Sequence, residues 1–199
     1  NYPHICTGEK SNSGRIKDDQ IKIAELFASK GYRTYALGKL HYVPYSPPGE
    51  ERLLHGFQYA ELCEEGRILK RFSPDRHTPG LEEYHDYLYE VGYGGYERAH
   101  GIGNNDIRPA PSPVPAEHYV DRWVAERTIA AISKHLKEEK NKPFFVWMSF
   151  PKPHSPYDPP EPYHRLYDPR EIPEPIGIGE QADEIEKRSP VLRVCKYTH

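Results

Sequence analysis

Cysteine is nearly missing from this chain: its 199 residues include only Cys6, Cys63 and Cys195. Three is an odd number and none of them stands at CxxC spacing, so a disulfide framework or a zinc knuckle is poorly supported and isolated thiols remain. The same scarcity leaves the compartment undetermined. A surplus of one charge is also lacking, since 27 basic residues face 30 acidic ones for a net charge of -3. That balance offers no footprint for nucleic acid or an anionic membrane, and any anion site must be local. No apolar run approaches the roughly 20 residues that cross a bilayer, and the amino terminus has no charged segment leading into an apolar one. The chain as given reads as soluble, and it has no solenoid repeat.

What is present is enough for one globular unit. Hydrophobic residues make up 36%, with 16 Tyr, 6 Phe and 2 Trp, at a length that can bury a sizeable core. The clearest periodic segment runs from about Asp19 to Lys30: Ile23, Leu26 and Phe27 share a face, Asp18 or Asp19 is available as N-cap, and Gly31 is the stop. Arg33 to Leu37 then reads as a short strand ended by Gly38. A second helix-to-strand unit follows later. From about Glu117 to Lys140, Val120, Trp123, Val124, Ile129, Ile132 and Leu136 recur near helical spacing. Asn141-Lys142-Pro143 breaks that pattern, and Phe144 to Phe150 is a nearly continuous apolar run, as expected for a central strand covered on both faces.

Between the units, residues from about Glu61 to Ala116 are rich in Tyr, Gly, Pro and charge, and read as a loop-rich peripheral excursion with a short helix near Tyr84 to Tyr89. Nine of the 21 prolines fall between Pro151 and Pro175, which predicts an extended, stiff loop. The whole, residues 1–199, is expected to be a partial α/β domain with a mostly parallel sheet flanked by helices.

Both strands run into a histidine: Gly38-Lys39-Leu40-His41 and Pro153-His154-Ser155-Pro156. Parallel sheets place ligands outside the carboxyl ends of their strands. Strand side chains alternate, so Lys39 and His41, two residues apart, can face one pocket. Lysine brings a fixed positive charge and histidine a hydrogen bond or a proton near neutral pH, a combination suited to a tetrahedral oxyanion. Prolines flanking His154 restrict the backbone that holds its imidazole. Lys152 points at the same loop and is a secondary ligand-contacting candidate. Taken singly, Lys-X-His also fits a solvated strand end, and His154 also fits a ring bonded to a loop carbonyl.

Three ordered motifs together resemble the sulfatase family. Ile23 to His41 is similar to a leucine-rich helix followed by GYRT and GKWH, with Leu40 in place of Trp; Leu54-His55-Gly56-Phe57 resembles the HGFD element; and Pro143-Phe144-Phe145 through Pro153-His154-Ser155-Pro156-Tyr157 resembles a PFF strand ending in PHxPY. The likeness runs from Tyr2 to about Pro169 and is loose in the middle. It implies an alkaline phosphatase/sulfatase-like α/β core, here incomplete, and hydrolysis of a sulfate ester, an aryl sulfate or a sulfated sugar. By motif position Lys39 contacts the sulfate and its nucleophile, His41 assists a formylglycine hydrate, and His154 binds sulfate or protonates the leaving oxygen. A divalent metal, typically calcium, belongs to the complete family site.

The chain departs from the family pattern where covalent and metal chemistry reside. Cys6 is followed by Thr7, Gly8 and Glu9, so no Cys-X-Pro-Ser or Ser-X-Pro-Ser sequence supplies a formylglycine, and the family's metal-binding aspartates have no match. Asp18-Asp19 reads as a helix cap instead. The expectation is a central piece of a sulfatase-family hydrolase, inactive alone, with self-association a consequence of exposed core surface. Two alternatives stand: a phosphonate or phosphate monoester hydrolase of the same superfamily, and a noncatalytic module binding sulfated glycans on its aromatic excursion.

Overall fold

A computed structural model describes residue 16 and residues 19–40, 50–64, 77–103 and 105–173. Helix α1 (Ile23–Ser29) leads into strand β1 (Arg33–Gly38); strand β2 (Tyr59–Leu62), helix α2 (Glu83–Glu90), helix α3 (Val120–Glu138) and strand β3 (Phe144–Ser149) follow. The strands form one parallel sheet in the order β2-β1-β3. Short 3-10 turns at Tyr96–Arg98, Ala116–His118, Tyr163–Arg165 and Pro169–Glu171 punctuate the connections.

Helix α1 stops as its sequence predicts. Gly31 has a φ of 87°, and the amides of Gly31 and Tyr32 donate to Ala28 and Phe27, the two-bond closure of a helix ended by glycine. Its start differs: Lys22 is the N-cap without a side-chain bond, and Asp19 lies in the preceding turn. Asp18 lies outside the described residues. The buried face is also rotated. Ala24 is buried and Phe27 stacks on Phe145 at 4.4 Å, while Ile23 and Leu26 are half exposed.

Strand β1 is the centre of the sheet, buried from Thr34 onward. Its alternating side chains divide between two layers: Ala36 and the following Leu40 pack with Ala24 of α1, and Tyr35 and Leu37 pack with Ala131 of α3. Full burial of leucines such as Leu37 and Leu40 stabilises the fold by about 1.5–3 kcal/mol each. Along α3 the covered stripe is Val120, Val124, Thr128, Ala131 and His135, with Trp123 beside it. Ile129 and Leu136, expected on that stripe, are exposed; small or polar residues sit where the helix meets the sheet. His135 donates from Nε2 to the Lys142 carbonyl and accepts at Nδ1 from the Tyr35 hydroxyl, each at 2.8 Å, so this core histidine is fully bonded.

Two expectations change. Strand β3 was expected at the centre of the sheet, but among the described residues it is an edge, with Phe144, Trp147, Met148 and Phe150 about two-fifths exposed. A continuous apolar run records the character of a strand and not how many neighbours it has. The excursion is also less peripheral than its composition implied: Tyr84, Leu88 and Val114 pack with Trp123 and Val124, and β2 extends the sheet. Cys63, the one cysteine among the described residues, is buried there; Cys6 and Cys195 lie outside them. No helix of the described residues is long and apolar enough to cross a membrane.

Candidate functional site

The parallel register sets the site. Gly38 pairs with Ser149, so the carboxyl ends of β1 and β3 lie side by side. Gly38 has a φ of 95°, and a Cβ there would stand 2.1 Å from the Ser149 carbonyl oxygen, so only glycine lets the strands approach. Lys39 follows directly and is largely buried. Its amide donates to the Ser149 carbonyl at 2.9 Å and its carbonyl accepts from the Trp147 indole at 3.2 Å. The next amide, of Leu40, donates to the buried carboxylate of Glu64 at 2.7 Å. His41 lies outside the described residues.

His154 sits in the loop that leaves β3, exposed, with its amide on the Pro151 carbonyl at 3.2 Å. Its Nδ1 lies 2.8 Å from the Ser155 carbonyl. A carbonyl only accepts, so Nδ1 carries the hydrogen and Nε2 bears the lone pair of the neutral ring. That leaves Nε2 as the atom that exchanges a proton.

Lys152 is tied differently. Its ammonium donates to the Pro156 carbonyl at 3.0 Å and to Asp158 at 2.7 Å. Asp158 is buried and also takes His100 Nε2 at 3.1 Å and the Tyr119 hydroxyl at 3.3 Å. The Ile102 amide donates to His100 Nδ1 at 3.0 Å, so the neutral ring already presents its hydrogen to Asp158. Lys152 and Asp158 therefore balance each other. Backbone bonds from Ala110 to Tyr157 and from Ser112 to Pro159 fix the same loop against the excursion.

Lys152 and His154 line one cleft of about 580 Å³, together with Tyr119, Tyr157, Tyr163 and several prolines. Lys39 is outside its lining, at the neighbouring strand end. Asp158, His100 and Tyr119 were missed by sequence reasoning. Asp158 had a signal, a charged residue directly after the PHxPY motif; His100, 58 residues away, had none. The HGF element is structural: a Cβ on Gly56 would meet Glu25 at 2.4 Å, Thr34 Oγ1 donates to the Gly56 carbonyl, and Phe57 is core. A second polar cluster, Tyr59, Glu61 and Arg127, lies in a groove between β2 and α3. Burial and the Glu61 carboxylate push the Tyr59 phenol up to about 12, which leaves it protonated at neutral pH.

No group of three or more His, Cys, Asp or Glu among the described residues converges as a metal site. Those residues do not supply a ligand set for a divalent ion.

The sulfatase family model matches residues 2–176. An arylsulfatase of Clostridium perfringens (strain 13 / Type A) is 29% identical over 171 residues, 84% of this chain and 34% of that protein. The multifunctional alkaline phosphatase superfamily protein PehA of Trinickia caryophylli is 27% identical over 136 residues, 64% of this chain and 26% of that protein. Among solved structures, the phosphonate monoester hydrolase SpPMH from Silicibacter pomeroyi aligns with a TM-score of 0.61 at 17% identity, covering 92% of this chain and 36% of that one. The phosphonate monoester hydrolase of Agrobacterium radiobacter aligns with a TM-score of 0.57 at 19% identity, covering 86% and 33%. These two likenesses establish the fold, an alkaline phosphatase-like α/β core. The chain spans between about a quarter and a third of the length of the curated relatives it matches.

Proposed function

The chain belongs to the sulfatase family, and on that premise we propose that it forms the basic side of a sulfuric ester hydrolase site, built from Lys39, His41 and His154. The observation that supports this most is the Gly38 to Ser149 register, which sets Lys39 beside the root of the His154 loop at the carboxyl edge of a parallel sheet. Lys39 supplies a fixed charge for the sulfate oxygens. His154 acts through Nε2: when protonated it donates to the ester oxygen as the sulfur–oxygen bond breaks, so the leaving group departs as a neutral alcohol. Lys152 serves this site by holding the loop through Asp158 more than by meeting the anion. Sulfatases generally use a divalent metal; calcium is the ion we propose for the complete site, its ligands and the nucleophile lying outside the described residues.

The 199-residue chain is expected to release no nitrophenol from nitrophenyl sulfate, with or without calcium, while inorganic sulfate shifts the NMR signals of Lys39 and His154. Turnover that His154→Ala abolishes overturns the incomplete-site reading, and an absence of sulfate shifts overturns the anion site. Phosphate or phosphonate monoesters are the second reading, because the tetrahedral oxyanion is the same chemistry and one relative is described as multifunctional. Parallel titration with phosphate and methylphosphonate separates the two. For the exposed edge of β3, a second copy of this chain is the occupant we propose.

A further inference from the structure

Strand β2 ends against the first turn of α2, and carboxylates make the join. Cys63 donates its amide to the Gly38 carbonyl at 3.2 Å, so the amides on either side of it, of Leu62 and Glu64, point away from β1. Glu83 and Glu82 accept them at 2.8 Å and 2.9 Å, two successive acids at the amino end of α2. The Glu64 side chain then turns inward. It is 2% exposed, and its Oε1 accepts the Leu40 amide at 2.7 Å. That N–H belongs to the same peptide unit as the Lys39 carbonyl, which takes the Trp147 indole at 3.2 Å. One rigid plane is therefore gripped at both polar atoms, by Glu64 at its hydrogen and by β3 at its oxygen. With the Lys39 amide on the Ser149 carbonyl, the backbone is fixed on both sides of the Lys39 α-carbon. No carboxylate among the described residues pairs with the Lys39 ammonium, which leaves the backbone to aim it.

We propose that Glu64 and Trp147 are positioning residues for Lys39, fixing the Lys39–Leu40 peptide so that the ammonium stays aimed at one place on the carboxyl edge of the sheet. This rests on the anion-site reading and extends it to two residues that meet no anion themselves. A lysine already held in place binds an anion without first losing the freedom of a loose side chain. The role asks Glu64 for a hydrogen-bond acceptor and not for a negative charge, and that separates it from an electrostatic effect of the carboxylate.

The test uses the 199-residue chain and two NMR readouts: the order parameter of the Lys39 side chain without ligand, and the affinity for inorganic sulfate at Lys39. Glu64→Ala and Trp147→Phe each remove one grip, and each is expected to lower the order parameter and to weaken sulfate binding by about three- to tenfold. Glu64→Gln keeps a carbonyl acceptor and is expected to restore both. Glu83→Ala strips the acceptor from the Leu62 amide in the same join and controls for general loosening; both readouts should stay unchanged. The proposal is overturned if Glu64→Ala keeps both values, if Glu83→Ala loses as much as Glu64→Ala, or if Glu64→Gln is no better than Glu64→Ala. Where Glu64→Ala does not fold, Trp147→Phe decides, and unchanged Lys39 order in it overturns the proposal. An absence of sulfate shifts in the unaltered chain defeats the anion-site reading alone, and the order parameters then judge the positioning role.

Discussion

His85 lies buried in α2, with Nδ1 3.8 Å from Glu82 and Nε2 3.6 Å from Glu97. Burial is the strongest influence on it and pushes its pKa below the ordinary 6.5; Glu97 and Asp86 pull the other way, and His77 and Arg98 add to the lowering. The fold therefore keeps this ring neutral at pH values where the unfolded chain would charge it. Between the lowered folded value and about 6.5 the unfolded state binds the extra proton, so stability present above that range is lost as pH falls through it. Urea midpoints are expected to drop between about pH 7 and about pH 5, and His85→Gln to flatten that drop. A His85→Gln profile parallel to that of the unaltered chain would assign the loss to other groups.

The loop after β3 is an element without regular structure, and side chains hold it. Its sequence announced stiffness through its prolines and a candidate base through His154, because both are local signals. The tie at Asp158 was not legible. Its partners come from 6, 39 and 58 residues away, and no periodicity or motif links Lys152, Tyr119 and His100. Asp158→Ala leaves the mostly buried Lys152 without that carboxylate and is expected to cost about 3–5 kcal/mol, the range for breaking a buried pair. Asp158→Asn keeps an acceptor for Lys152 and is expected to cost less, about 1–2 kcal/mol. Denaturant melts read the stability, and limited proteolysis between residues 151 and 163 reads the loop. If Asp158→Ala leaves both unchanged, the prolines alone hold it.

At the scale of the molecule, sequence periodicity recovered α1, β1, α3 and β3 because each has a run of residues with a clear period or apolar character. Neighbour relations were harder to read. Strand β2 is only four residues, Tyr59-Ala60-Glu61-Leu62, whose Glu61 pairs with Arg127 of α3, and so short a mixed strand has no pattern to find. The same limit misplaced β3 at the centre, since an apolar strand looks alike whether or not a neighbour covers it. Its exposed residues now carry a consequence. Phe144, Trp147 and Met148 stand about two-fifths exposed on an edge whose backbone can pair with another strand, with Phe150 just beyond, and burying apolar side chains of this size is worth about 1.5–3 kcal/mol each. The isolated 199-residue chain is therefore expected to self-associate with rising concentration. A lysine at the edge adds a charge that must stay hydrated, so Met148→Lys should weaken association by about tenfold or more, read by sedimentation velocity, while thermal unfolding at low concentration changes little. A monomer that persists at high concentration in the unaltered chain would mean that β3's exposed side chains meet no partner of their own kind.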